Sequence, residues 1–263
     1  MNYNEILQII KTEYERILSD NLVGIYVHGS IAFECFNEEK SDIDFIVVIN
    51  SEIDSNAKIK LLNSLESLRS QSPSKGLEMS VVLKENCINF KYPTPYELHF
   101  SNYWLNTYLN NSEVMCSDET KVDYDLSAHF TIIRKFGIVL CGQPIKDVFG
   151  KVKEEYYIDS IMRDIGDSRD EILDNTTYVV LNLCRVLAYL KEKLILSKEE
   201  GGKWALRNID NKYHKSVKIA LEDYKSSKSV KVSDKEKVYF SEYMLVCINN
   251  RRWGRDNWLE SIK

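Results

Sequence analysis

Hydrophobic positions along this chain follow two periods, and the switches between them mark out its elements. Ile6, Ile9, Ile10, Tyr14, Ile17 and Leu18 fall at helical spacing, so residues 3–19 read as an amphipathic helix. Leu22 to Val27 is a short apolar run with strand character, broken by the turn residues Gly29-Ser30, and Ile31 to Glu34 starts a short helix. Ser41 leads into Asp42-Ile43-Asp44-Phe45-Ile46-Val47-Val48, whose β-branched run predicts a second strand. Ser55 is placed to cap a helix carrying Ile59, Leu62, Leu65 and Leu68. The loop Ser72 to Gly76 then delivers a third strand, Gly76 to Val82, whose apolar run is interrupted by Glu78. This order predicts a small mixed sheet backed by helices.

The pattern changes further on. Tyr92-Pro93-Thr94-Pro95 breaks the chain, and Pro95 suits the first turn of a helix running through Trp104 to Leu109. Residues 123–136 predict another helix, ended by Gly137, and Ile138 to Pro144 is a short apolar run closed by a turn. A domain boundary is expected near residue 150, beyond which helical spacing prevails over 154–172, 175–196, 212–225 and 234–250. Gly201-Gly202 reads as a loop before a helix opened by Trp204, and Ser226 to Ser233 as a polar connector. The expectation is an α+β chain: a sheet-containing domain over residues 1–150, then a helical bundle over 151–263.

Composition narrows the function classes. The 263 residues are 44% hydrophobic and 29% charged, as in soluble globular proteins. A net charge of −5 argues against a general nucleic-acid binder, which would carry a basic domain or stripe. No apolar run approaches the ~20 residues of a membrane span, and Met1 to Glu5 lacks the basic and apolar regions of a secretory signal. The six cysteines form no CxxC pair and the four histidines are dispersed, so free thiols, no zinc site and a cytoplasmic location are expected.

The candidate chemistry sits in the first domain. Asp42 and Asp44 are two positions apart on one strand, so both side chains take the same face. Crowded carboxylates repel, and a divalent cation that prefers hard oxygen ligands is their natural neighbour. The Gly29-Ser30 turn would let backbone N–H groups and the Ser30 hydroxyl approach a phosphate. Glu78 is disfavoured in a buried strand without a partner and joins the cluster if its strand lies beside the aspartates. In the second domain Arg185 interrupts an apolar helix and needs an anionic partner, either a carboxylate or a nucleotide phosphate.

Gly29-Ser30, Asp42-x-Asp44 and a strand-borne Glu78 resemble the nucleotidyltransferase superfamily with the polymerase-β-like core. Tyr92 to Pro95, Tyr103-Trp104-Leu105, Val180 to Arg185, Lys198 to Leu206 and Tyr224 continue the match. That series is similar to the aminoglycoside adenylyltransferases acting on spectinomycin and streptomycin. The resemblance implies a nucleotidyltransferase domain followed by a helical domain that closes the active-site cleft. It implies Mg²⁺ (two ions) held by Asp42, Asp44 and Glu78, with Glu78 as general base, and ATP as co-substrate. Gly29, Ser30, Arg185 and Lys198 would contact the phosphates and Tyr224 the adenine; Trp104, Asn175 and Tyr178 would meet the antibiotic. Counted back from Arg185, Asn175 stands where family members that accept streptomycin carry an acidic residue, with Asp174 one residue before it as the alternative, and an asparagine there favours spectinomycin as acceptor. A monomer is expected. Transfer to a lincosamide or a protein side chain, or nucleotide binding without turnover, are the competing readings.

Overall fold

The structure, a computed structural model, describes residues 1–116, 121–226 and 232–252. The chain divides into two compact units, Met1–Ser160 and Ile161–Lys263. Residues 227–231 of the expected polar connector lie outside the described residues.

In chain order the first unit contains helix α1 (Tyr3–Leu18), strand β1 (Leu22–Val27), the one-turn helix α2 (Gly29–Ala32), β2 (Ile43–Ile49), α3 (Ser55–Leu68), β3 (Leu77–Leu83) and α4 (Lys84–Ile88). There follow β4 (Thr94–Tyr96), β5 (Leu98–Phe100), α5 (Leu105–Met115), β6 (Lys121–Asp123), α6 (Leu126–Phe136), β7 (Ile138–Gly142), α7 (Ile145–Val148) and α8 (Glu154–Asp164), within which the division between the units falls. Five strands form one sheet in the order β5-β3-β2-β1-β7, with β2 and β3 parallel and the other neighbours antiparallel.

Both faces of this sheet are covered, which is why its central strands read as continuous apolar runs. Ile25, Val27, Phe45, Val47, Met79 and Val81 pack on one side against Ile6, Ile10 and Tyr14 of α1 and Leu61, Leu62 and Leu65 of α3. Tyr26, Ile46, Val48 and Val82 pack on the other against Leu126, Phe130 and Ile133 of α6, with Val148 and Phe149. Asp44 and Glu78 belong to this second face by strand alternation.

Three local expectations are corrected here. The cap of α3 is Asp54, whose side chain accepts from the Ala57 N–H at 2.7 Å; Ser55 is already helical and donates to the Cys116 carbonyl at 3.2 Å. Pro95 opens no helix but lies in β4, paired with Val122 of β6, and the helix expected over 123–136 starts only at Leu126, with Asp123 ending β6. The helix expected over 154–172 stops at Asp164, and Ser168–Glu171 forms a separate short helix, α9.

The second unit is built around α10 (Thr176–Glu192), whose residues from Val179 to Ala188 are buried apart from the half-buried Arg185. It packs against α11 (Lys198–Asn208), α12 (His214–Lys225) and α13 (Asp234–Arg252). Gly201 and Gly202 are helical, not a loop. A Cβ on Gly201 would lie 2.7 Å from Arg185 Cγ, and one on Gly202 2.7 Å from a Leu221 methyl and 2.9 Å from a Leu181 methyl. Two mid-helix glycines cost ~1 kcal/mol each against alanine, offset here by the close approach of three helices. Ser197 and Glu200 form a reciprocal capping box that starts α11 despite those glycines.

Candidate active site

The parallel pairing of β2 with β3 sets Asp44 directly opposite Glu78. Asp42 precedes β2 by one residue, and one oxygen from each of Asp42, Asp44 and Glu78 lies within 4.8 Å of the others. All three are half-buried. Three carboxylates held so close by backbone register, rather than dispersed by repulsion, form a hard-oxygen donor set suited to Mg²⁺.

The Gly29-Ser30 turn abuts this set. The His28 N–H donates to the Asp44 carbonyl at 3.0 Å, tying the end of β1 to β2. Gly29 has φ +59°, and a Cβ there would sit 1.8 Å from Asp44 Oδ2, so the residue must be glycine both for its conformation and for the carboxylate beside it. The Ser30 hydroxyl is buried and, among the described residues, has no hydrogen-bond partner. A buried hydroxyl is seldom left so, and this one stands next to the acidic cluster, where a phosphate oxygen would satisfy it. The residues present therefore fit a metal-bound phosphate ester.

Behind the carboxylates the same face carries imidazoles that sequence reading passed over as dispersed. His28 is 3% exposed and its ring lies 4.6 Å from that of His129 on α6. Burial, and then the neighbouring His129, hold His28 well below the ordinary histidine range. His99 of β5 shares a 2.9 Å hydrogen bond with the hydroxyl of Ser80, two residues beyond Glu78, and burial lowers its pKa too. His28 could have been noticed as the residue directly after an apolar strand; His99 and His129 carry no signal in sequence, because only the sheet brings them near.

Other expected site residues fall as follows. Trp104 ends a single 3₁₀ turn, Asn102–Trp104, half-buried against the core of the first unit, with Tyr103 edge-on at 5.3 Å. In the second unit Arg185 donates to the amide oxygen of Asn182 at 3.0 Å, so its hydrogen-bond partner is neutral rather than a carboxylate. Lys198, the first residue of α11, places its ammonium 4.5 Å from the centre of the Tyr178 ring, and the Tyr178 hydroxyl donates to Asp164 at 2.7 Å. Burial and the Asp164 carboxylate push that phenol far above its usual range. Tyr178, Arg185 and Lys198 thus come together. Tyr224 is buried in the core of the second unit. Asn175 is exposed at the start of α10 and, with Asp174, Thr177, Asp223, Asp234 and Lys237, lines a groove of about 440 Å³ that does not include Tyr178.

Comparison with known proteins bears on this arrangement. Residues 147–246 match the family described as the aminoglycoside adenylyltransferase C-terminal domain. The chain is similar to aminoglycoside adenylyltransferases beyond that stretch as well. It is 24% identical over 216 residues to an aminoglycoside (3'') (9) adenylyltransferase of Klebsiella pneumoniae, covering 80% of each chain. It is also 24% identical over 230 residues to a spectinomycin 9-adenylyltransferase of Staphylococcus aureus, covering 84% of this chain and 85% of that one. Among solved structures, the spectinomycin adenyltransferase AAD(9) of Enterococcus faecalis, crystallised with ATP and spectinomycin, superposes with a TM-score of 0.80. The match covers 94% of this chain and 100% of AAD(9) at 17% identity, and shows that the two share the α+β fold expected from sequence.

Proposed function

We propose that this protein is a Mg²⁺-dependent O-adenylyltransferase that transfers AMP from ATP to a hydroxyl of an aminocyclitol antibiotic, with spectinomycin preferred over streptomycin. The reading rests above all on the acidic set of Asp42, Asp44 and Glu78, within 4.8 Å of one another beside the Gly29-Ser30 turn. Residues 1–150 would form the nucleotidyltransferase domain and 151–263 the helical domain.

In the reaction the acceptor oxygen attacks the α-phosphorus of ATP, the bond to the bridging oxygen of pyrophosphate breaks, and the hydroxyl proton leaves. Bound at Asp42, Asp44 and Glu78, Mg²⁺, as two ions, supplies charge neutralisation at the triphosphate and its leaving oxygen. Ser30 donates its unpartnered hydroxyl to a β- or γ-phosphate oxygen, beside backbone N–H groups of the turn. Glu78 accepts the hydroxyl proton, a role worth ~10²–10⁴ in rate. Arg185 and Lys198 neutralise phosphate charge from the helical domain, and Tyr224 contributes an aromatic face to adenine. Trp104, Asn175 and Tyr178 contact the drug. Asn175 offers an amide where a guanidinium would be better held by a carboxylate, since charge-assisted hydrogen bonds are roughly twice as strong as neutral ones. That difference underlies the preference for spectinomycin.

The test is incubation with labelled ATP and Mg²⁺ against a panel of spectinomycin, streptomycin, other aminoglycosides and a lincosamide, followed by mass analysis of each acceptor. Spectinomycin should gain one AMP, and Asp44→Asn should abolish the gain. Label appearing on a lincosamide or on protein, with none on spectinomycin, would replace this acceptor assignment. Absence of any transfer would remove the reading.

A further inference from the structure

We propose that His129 of α6 is a positioning residue for the catalytic turn, acting through the ring of His28; the inference rests on the nucleotidyl-transfer reading above. The turn that carries Gly29 and Ser30 is a helix of only four residues, Gly29–Ala32. A single helical turn has almost no stability of its own, so its place beside Asp44 has to be imposed by packing. His28 is the residue through which that happens. Its N–H donates to the Asp44 carbonyl at 3.0 Å, its own carbonyl accepts from Ala32 at 3.4 Å, and its side chain is 3% exposed. It therefore joins the metal-ligand strand to the phosphate turn, while its ring fixes where both lie along the face of the sheet.

That ring meets His129 with centroids 4.6 Å apart and planes inclined by 36°. The same helix reaches the far end of the turn as well. Phe136 lies 4.8 Å from Phe33, the residue that closes α2. Positions 129 and 136 are seven apart and so share one face of α6. The turn is held at both ends by one helix. That helix is itself anchored by the buried Phe130 and Ile133, and by the Ser127 hydroxyl donating to the Tyr156 carbonyl at 2.9 Å. Loss of the His129 ring removes the wall behind His28, and the turn gains freedom to move relative to Asp44. Misplacement of reacting groups by about 1 Å can cost 10²-fold in rate.

The experiment compares His129→Ala, His129→Phe and His28→Ala with the unmodified protein, all well below their melting temperatures. Each is assayed for kcat/KM toward ATP, for the acceptor KM and for calorimetric Mg-ATP affinity. His129→Ala should lower kcat/KM for ATP by about 10²-fold and weaken Mg-ATP, with the acceptor KM within about threefold. His129→Phe keeps a ring at the contact and should restore kcat/KM to within about threefold of the unmodified protein. The double variant His28→Ala/His129→Ala should be no worse than the more impaired single one, because both act on one contact. Full activity of folded His129→Ala, no rescue by phenylalanine, or multiplying effects in the double variant would each overturn the proposal. If His129→Ala does not fold, His129→Phe and His129→Asn decide the matter, with activity expected only in the former. An unmodified protein that neither binds Mg-ATP nor transfers label would overturn both this proposal and the reading beneath it.

Discussion

Replacing Gly29 with alanine tests the link between turn and metal site most directly. Gly29 holds φ +59°, a conformation that costs an L-residue about 1–2 kcal/mol. The new Cβ would lie 1.8 Å from Asp44 Oδ2, where ordinary contact begins near 3.4 Å, so the oxygen has to retreat by roughly 1.6 Å, the difference of those distances. The two consequences separate. The backbone term lowers the melting temperature of the first unit by about 2–8 °C, since 1 kcal/mol corresponds to about 2–4 °C at this size. The displaced carboxylate leaves a set whose oxygens lie within 4.8 Å of one another, and activity should fall by ~10²-fold or more. Gly76→Ala is the control. It has φ +86° and a similar backbone cost, but its Cβ meets the side chain of Asn102, the nearest atom at 2.3 Å, rather than a carboxylate. Thermal melts, Mg²⁺ titration and the transfer assay on both variants give the answer. Gly29→Ala with Mg²⁺ affinity and turnover equal to those of Gly76→Ala would refute the reasoning.

Glu78→Gln should retain Mg-ATP binding while turnover falls by ~10²-fold or more, and loss of ATP binding on calorimetry would make Glu78 chiefly a metal ligand. Arg185→Ala and Lys198→Ala should each weaken ATP; unchanged nucleotide affinity in both would place the phosphates elsewhere. Asn175→Asp should raise streptomycin modification more than spectinomycin modification, measured as specificity constants. It should also stabilise α10 slightly, by ~0.3–1 kcal/mol, because Asn175 makes no side-chain capping bond and an acid there faces a helix N-terminus. Stability should decline in mild acid. His28 and His99 titrate below the ordinary value of 6.5 when folded, so their contribution is full above that pH and is lost as pH falls toward the folded values. Each proton taken up on unfolding adds a slope of up to ~1.4 kcal/mol per pH unit. Urea melts at pH 7.5 and 5.5 on the unmodified protein and on His28→Phe should show the slope reduced in the variant.

Period and composition were enough to determine the α+β class, the strands bearing Asp44 and Glu78, and α1, α10, α12 and α13. Each of those elements has a long or strongly apolar pattern that local chemistry does not contradict. The elements misread are those where a local signal competes with packing. Pro95 carries a helix-start preference, yet it lies in β4 because β6, twenty-seven residues on, offers it a partner. Gly201-Gly202 carries a loop preference, yet both are helical: the capping box of Ser197 and Glu200, legible in the sequence, starts the helix, and α10 and α12 leave no room for a side chain at either glycine. At the site, a period of two was sufficient to pair Asp42 with Asp44. That Glu78 stands opposite Asp44 depends on the parallel register of β2 with β3, a choice made across thirty-four residues by the burial of both strands. The contact of His28 with His129 depends on a separation of 101 residues and on α6 covering that face of the sheet. Periodicity acts within one element and can be read from the chain, whereas register and helix placement arise only when apolar faces far apart in sequence are buried together.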